Sequence, residues 1–300
     1  MRNKLLGLAA LALFVLTVTV GCAGTVAVKP PSAASHTAGK VTITMLNVGQ
    51  GDATLIDTGS QKILVDTSDA DERKNLEHEL KKFGVETLDK IILTHPHADH
   101  IGGMSLLLKE CEVKEVYDNG MPSTSPIYRA YMKQLKEKNI PRRELKAGDV
   151  LNLGDNVTFV VVNPDAKTIE AGQTKGYKHN PNNESVVGKL EYGEFSMLFT
   201  GDVEKDVEEK LVAAYGDKLR AKVLKSPHHG SKTSSSPKFM QAVQPEAVLI
   251  SLGKDNDYGH PHQATLERYE KQGCKVYRTD QDGSITVTTD GKEYEIKGDK

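Results

Sequence analysis

Positive charge is in short supply: across 300 residues, 39 Lys and Arg face 41 Asp and Glu, a net charge of −2 at pH 7. That balance excludes a global basic field able to gather nucleic acid, so any recognition of phosphate has to be local. Cysteine is scarce as well. Three residues are too few for a disulfide framework, and Cys111 and Cys274 can either pair or stay as free thiols. Past residue 40 there is no low-complexity tract and no composition break marking an internal domain boundary. An apolar fraction of 38% and 26 glycines fit a loop-rich globular domain with a sizeable core.

What is present starts with MRNKLLGLAALALFVLTVTVGC. Arg2 and Lys4 form a positive n-region, and Leu5 to Val20 is uncharged but short for a permanent span, so the stretch reads as a signal sequence. Gly21-Cys22 resembles the end of a lipoprotein box, although Thr19 stands where that box usually carries leucine. Residues 1–21 are therefore expected to be a lipoprotein-type signal peptide, with Cys22 lipidated. The Ala-, Ser-, Thr- and Pro-containing stretch 22–40 reads as a tether. The protein would then be exported and held at the outer face of the cell membrane by its lipid. An uncleaved anchor and plain secretion are the alternatives. Removal of the signal leaves 37 basic against 41 acidic residues.

From Val41 the chain alternates strands and helices. VTITMLNVG and KILVDT read as strands around the turn DTGSQ, and DERKNLEHELKKFG reads as a helix with Leu76, Leu80 and Phe83 on one face. KIILTH is then a short buried strand that delivers a histidine cluster at its C-terminal end, where open α/β sheets bind ligands. The second half repeats the order: a hairpin in SVVGKLEYGEFSMLFTGD, a helix carrying Val203, Val207 and Leu211, and a strand in AKVLKSPHHGS. Asp66 precedes His95 by 29 residues and Asp202 precedes His228 by 26. Two similar β/α halves are expected to face one another, their histidine-bearing ends meeting at one cleft. Between them, SPIYRAYMKQLKEKN reads as a helix capped by Ser125, with Pro126 first and Tyr128, Met132 and Leu135 inward.

The chemistry centres on His95-Pro96-His97-Ala98-Asp99-His100. So short a segment cannot give one ion four ligands at good tetrahedral angles, whereas two ions roughly 3.5–4 Å apart can share them. Gly102 and Gly103 allow a close backbone approach directly after the cluster. His228 and His229 are adjacent, and in a simple strand only one would face the ions. Asp66 is placed to brace the histidine loop by hydrogen bonds, with Asp52 and Gln50 as similar candidates. Ser231, Lys232, Thr233 and the Ser234–Ser236 run suit either a phosphate oxygen or a solvated loop. In YGHPH, His262 could protonate a leaving alkoxide, while His260 and Tyr258 could orient substrate. His36 and His78 are set aside.

His95-x-His97-x-Asp99-His100 resembles the signature of the metallo-β-lactamase superfamily. LNVGQGDATLI, NNESVVGKLEYG, LFTGD, SPHHGS and YGHPH are together similar to the soluble hydrolase domain of the ComEC-type competence proteins. The resemblance runs from Val41 to Ile296, and a hydrolase domain is expected over 41–297. It implies a four-layer αββα sandwich and two divalent ions, zinc or manganese. His95 and His97 would bind the first ion, Asp99 and His100 the second, with Asp202 between them and His228 or His229 completing the second. A further histidine usually precedes the bridging aspartate; here that region reads KHNPNNES, with His179, Asn182 and Asn183 available. The first ion is then completed by water, an asparagine oxygen or a later histidine, which favours a harder ion.

The implied reaction is hydrolysis by a hydroxide activated between the two ions, with Asp99 at the reacting centre and His262 or a water protonating the leaving group. The resemblance favours a phosphodiester substrate, single-stranded DNA first. Three other readings remain at this point: a β-lactam hydrolase, a cell-surface phosphoesterase on small or teichoic-type phosphoesters, and a non-enzymatic metal-uptake lipoprotein. No protein partner follows from the sequence.

Overall fold

The structure, a computed structural model, describes residues 39–300. The signal peptide, the lipidation site Cys22 and all of the tether except Gly39 and Lys40 lie outside the described residues.

Side-chain alternation along short strands builds the layers. In Lys62–Val65, Ile63 and Val65 enter one apolar cluster and Leu64 another. Ile91 and Ile92 divide in the same way, as do Val223 and Leu224. Both sheets are thus buried on two faces. One cluster, including Ile43, Ile63, Phe159 and Met197, fills the space between the sheets. A second packs the first sheet under the helices Arg73–Lys82, Met104–Glu110 and Pro126–Glu137. A third packs the second sheet under Lys205–Tyr215, Pro237–Val243 and Gln263–Lys271. Helix, sheet, sheet, helix is the αββα order that the resemblance implies.

Each sheet follows one plan, an antiparallel hairpin whose second strand runs parallel to a histidine-bearing strand. In the first, Thr54–Asp57 pairs with Lys62–Val65, which runs parallel to Lys90–Ile92 with Val65 opposite Ile92. In the second, Val187–Tyr192 pairs with Phe195–Phe199, which runs parallel to Val223–Lys225 with Leu198 opposite Leu224. The repeat breaks at the C-terminus. Ile285–Thr289 and Tyr294–Gly298 return to the first sheet beside Val41–Met45.

Several expectations shift. Val41–Met45 ends four residues before Gly49, because the VGQGD loop is tied elsewhere: the Asp52 N–H donates to the Asp99 carbonyl at 3.0 Å. Ser125 does cap its helix, accepting from the Tyr128 N–H. The inward stripe of that helix is Tyr131 and Leu135, however, with Tyr128 and Met132 only partly buried. Ordered structure also continues beyond residue 297, since the Ser284 N–H donates to Asp299 and the Lys300 N–H to the Asp282 carbonyl. Cys111 and Cys274 are both free thiols.

Candidate metal centre

The chain leaves the first sheet after Ile92 and makes one helical turn over Ala98–Ile101. A Cβ on Gly102 would fall 2.1 Å from the Ala70 nitrogen, and one on Gly103 would fall 2.2 Å from the Thr67 oxygen. Only glycine lets this turn lie against the loop that follows Asp66. Within that loop Asp66 accepts from the Thr94 N–H (2.7 Å), the Thr94 hydroxyl (2.8 Å) and His100 Nδ1 (2.8 Å). With Nδ1 donating, His100 presents Nε2 to the cleft, buried and without a hydrogen-bond partner. Replacing Asp66 by asparagine should disturb this. The amide oxygen would still be needed by the Thr94 N–H, so the amide NH2 would face His100 Nδ1 and push the imidazole proton to Nε2. We expect a roughly 10–100-fold loss of metal affinity, measured by chelator competition, with an unchanged far-UV spectrum.

The second half contributes Asp202 from the turn after Phe195–Phe199. The helix behind it begins at Lys205 with Glu204 as its N-cap, so Asp202 does not cap it. Its Oδ2 lies 3.3 Å from His100 Nε2, 3.7 Å from His229 Nε2, and 4.0 Å from both His95 Nε2 and His228 Nε2. Adjacent His228 and His229 can both face this carboxylate because Pro227–Gly230 is not a strand; both histidines are left-handed, with φ 52°. Two non-glycine residues held there cost about 1–3 kcal/mol each and persist because the surroundings fix them. His229 Nδ1 donates to the Ser251 carbonyl at 2.8 Å, turning Nε2 inward.

Asp99, His100, His229 and Asp202 fit a four-ligand site. A tetrahedron with metal–ligand bonds of about 2.0–2.1 Å has edges of roughly 3.3–3.4 Å. Four of the six edges are 3.2 Å (His229 to Asp99), 3.3 Å (His100 to Asp202) and 3.7 Å (His100 to Asp99, and His229 to Asp202). Beside them, His95 Nε2 lies 3.0 Å from His97 Nδ1, with Ser185 Oγ 3.2 Å from the other nitrogen of His95. Charge agrees with geometry. Asp52 and Asp202 flank the one ammonium, Lys225, while Asp66, Asp99 and Asp202 surround the His100 imidazole. Burial alone would depress His100 and His229, but the surrounding carboxylates, Asp202 foremost, hold His100 well above its ordinary pKa and His229 at about 9. The same carboxylates would attract divalent cations, whose binding would release protons from these imidazoles.

Lys225 is the residue that sequence reading missed. It forms a buried ion pair with Asp52, sits 3.7 Å from Asp202 Oδ1 and donates to the Gly201 carbonyl at 3.1 Å. Burial opposes its charge, yet Asp52 and Asp202 raise its pKa above the usual lysine value. Alternation offered a clue: Lys225 has the parity of Val223, which faces the space between the sheets. Asp52 falls in one cluster with His100, Asp202 and His229. It faces the Nδ1 side of His100 at 3.8 Å and is already neutralised, so Asp99 fits better as the fourth ligand.

The remaining candidates divide. Asn182 lines a cleft of about 300 Å3 with His97, Asp99, Asp202, His228 and His229, and its Oδ1 is buried without a partner. Asn183 instead accepts from the Glu204 N–H at 2.9 Å, and His179 is turned toward Glu184 at 3.1 Å. Ser231 is tied to Thr233 (3.0 Å), and Ser234–Ser236 is a buried run rather than a solvated loop. Gln50 lines the cleft while accepting from the Gly253 N–H. His260 and Tyr258 line the cleft as well. His262 lies behind His260, its ring centroid 4.9 Å away, and its Nδ1 accepts from the Lys232 N–H.

Comparison with known proteins agrees with this architecture. Residues 46–254 match the family described as the metallo-beta-lactamase superfamily. ComE operon protein 3 of Bacillus subtilis is 34% identical over 81% of this chain and 32% of its own length. Competence protein ComA of Neisseria gonorrhoeae is 31% identical over 88% of this chain and 34% of its own. The chain thus spans about a third of the length of these curated relatives. Among solved structures, the metallo-beta-lactamase fold protein YhfI of Bacillus subtilis superposes with a TM-score of 0.52 at 15% identity, over 80% of this chain and 95% of that one. Two facing hairpin–strand halves, the clustered aspartates and histidines at their meeting point, and the match over residues 46–254 place this chain in the metallo-β-lactamase superfamily.

Proposed function

We propose that this protein is an exported, metal-dependent phosphodiesterase that cleaves DNA. The carrying observation is Asp202 Oδ2, within 4.0 Å of four imidazole nitrogens. In this reading His95 and His97 would hold one ion and Asp99, His100 and His229 the other, with Asp202 within reach of both sets. Asn182 Oδ1, buried and unpartnered, or His228 would supply a further ligand to the first ion, and an amide oxygen in that role would favour manganese over zinc. Divalent ions at such a site supply Lewis-acid polarisation of a phosphoryl oxygen and water of lowered pKa.

The chain's own groups do the positioning. Asp66 and the Ser251 carbonyl fix the tautomers of His100 and His229, and Lys225 neutralises Asp52 beside Asp202. His260 replaces His262 as the imidazole at the cleft. Burial, followed by the charges of His229 and His228, pulls its pKa down to about 4, so near pH 7 it meets substrate as a neutral ring.

The name of one relative, Competence protein ComA, supports reading DNA as the substrate. Asp255 and Asp257, exposed near the cleft residue Tyr258, favour instead a small phosphoester over a polyanion. Incubating the full chain in detergent with Mn2+ or Zn2+ separates these readings. Cleavage of labelled single-stranded DNA and of bis-p-nitrophenyl phosphate is expected. Ester cleavage without DNA cleavage favours the small-substrate reading, and metal binding with no phosphoester cleaved refutes both.

Export rests on residues 1–22. Palmitate labelling in cells should mark the wild-type chain and leave Cys22→Ser unlabelled; equal labelling of both would remove the lipoprotein assignment.

A further inference from the structure

Tyr258 is one of two large apolar side chains conspicuously exposed among the described residues, at 65%. Unlike the other, Val150, it lines the cleft that holds the metal-centre candidates. Its ring lies 5.6 Å from that of His260 at an interplanar angle of 18°, and His260 lies 6.2 Å from His229 at 23°. Two near-parallel ring contacts thus link the exposed Tyr258 through His260 to His229, at spacings where aromatic rings stack with offset.

The loop carrying Tyr258 and His260 is internally braced. Asn256 Nδ2 donates to the Gly253 and His260 carbonyls at 3.0 and 2.8 Å, and the His260 N–H donates back to Asn256 Oδ1 at 3.0 Å. One face of Tyr258 is covered by His260, and no second aromatic ring stacks on it among the described residues. The open face sits on the order of 12 Å or less from the His229 ring, a span of about one or two nucleotides of single strand.

We propose that Tyr258 is a stacking platform for a nucleobase next to the scissile phosphodiester. The site thereby selects single-stranded nucleic acid over phosphodiesters that lack an aromatic ring. This rests on the phosphodiesterase reading and names its substrate class. Stacking tolerates any base, because every base presents a π-face. Asp255 and Asp257 precede Tyr258 in a loop that also exposes Lys254, so the loop offers no net positive charge to phosphate and stacking has to carry the binding there.

The chain contains no tryptophan, so Y258W introduces a single indole at the platform. Without divalent metal, the full-length variant in detergent should lose fluorescence on adding oligo-dT and keep it with an abasic phosphodiester oligomer of equal length. With metal, Y258A should raise KM for oligo-dT by about 5–150-fold with kcat nearly unchanged, and Y258F should behave as wild type. Quenching absent, or equal with the abasic oligomer, overturns the platform. So does a wild-type KM in Y258A, or a Y258F as impaired as Y258A. If wild type cleaves oligo-dT in any of those cases, the phosphodiesterase reading survives. If oligo-dT quenches the indole selectively and wild type cleaves no phosphodiester, the platform stands and the hydrolase reading falls.

Discussion

Asp202→Asn is expected to lower phosphodiester turnover by roughly three orders of magnitude or more, and to reduce bound metal from two ions to at most one. Partners that merely orient a ligand already cost about 10–100-fold on removal. Asp202 sits closer to the centre than any of them, its Oδ2 facing His95, His100, His228 and His229 at once. Asparagine keeps the shape and one acceptor oxygen but loses the charge that two cations would share. Its fold should survive, because the Asp202 N–H bond to Ser185 Oγ at 3.1 Å comes from the backbone. An unchanged melting temperature with activity lost is the predicted pair. Retained turnover would show that the shared carboxylate has been misassigned.

Lys225→Met should have the largest effect on stability. The ammonium is buried, paired with Asp52 and close to Asp202, and methionine would leave two buried carboxylates without their cation. Breaking a buried pair from one side costs about 3–5 kcal/mol, or roughly 6–20 °C in Tm for a domain of this size. Removing Asp52 as well, in Lys225→Met/Asp52→Asn, should recover much of that loss, since the unpaired charge disappears with its partner. A double variant no more stable than the single one would show that Lys225 acts mainly through its bond to the Gly201 carbonyl. Divalent metal should protect the single variant more than wild type, because cations compensate the same carboxylates.

The layers were readable because short apolar strands with strict alternation leave little choice. Ile63, Leu64 and Val65 assign themselves to opposite faces once the sheet is known to be buried on both. The repeated spacing from Asp66 to His95 and from Asp202 to His228 likewise indicates two facing halves. Local backbone geometry was not readable. Nothing in SPHHGS says that both histidines take left-handed conformations, and strand parity alone set His228 against His229. The helix stripe came out one residue off at Tyr131, because Tyr128, Tyr131 and Met132 all satisfy an apolar face and tertiary packing decides among them. Lys225 stayed hidden for a different reason. A lysine in a three-residue strand reads as an exposed edge, and only Asp52 and Asp202, distant in sequence, make its burial tolerable. His262 reads as the proton donor of YGHPH, but His260 is the one that lines the cleft, while His262 Nδ1 accepts from the Lys232 N–H.

Counting the ions tests the central claim most directly. Native mass spectrometry of the full chain, released from detergent after equilibration with Mn2+ or Zn2+, should show two divalent ions per chain. The second should be lost in Asp202→Asn. A wild-type chain that saturates with one ion, and keeps it in Asp202→Asn, would contradict a centre shared across this carboxylate.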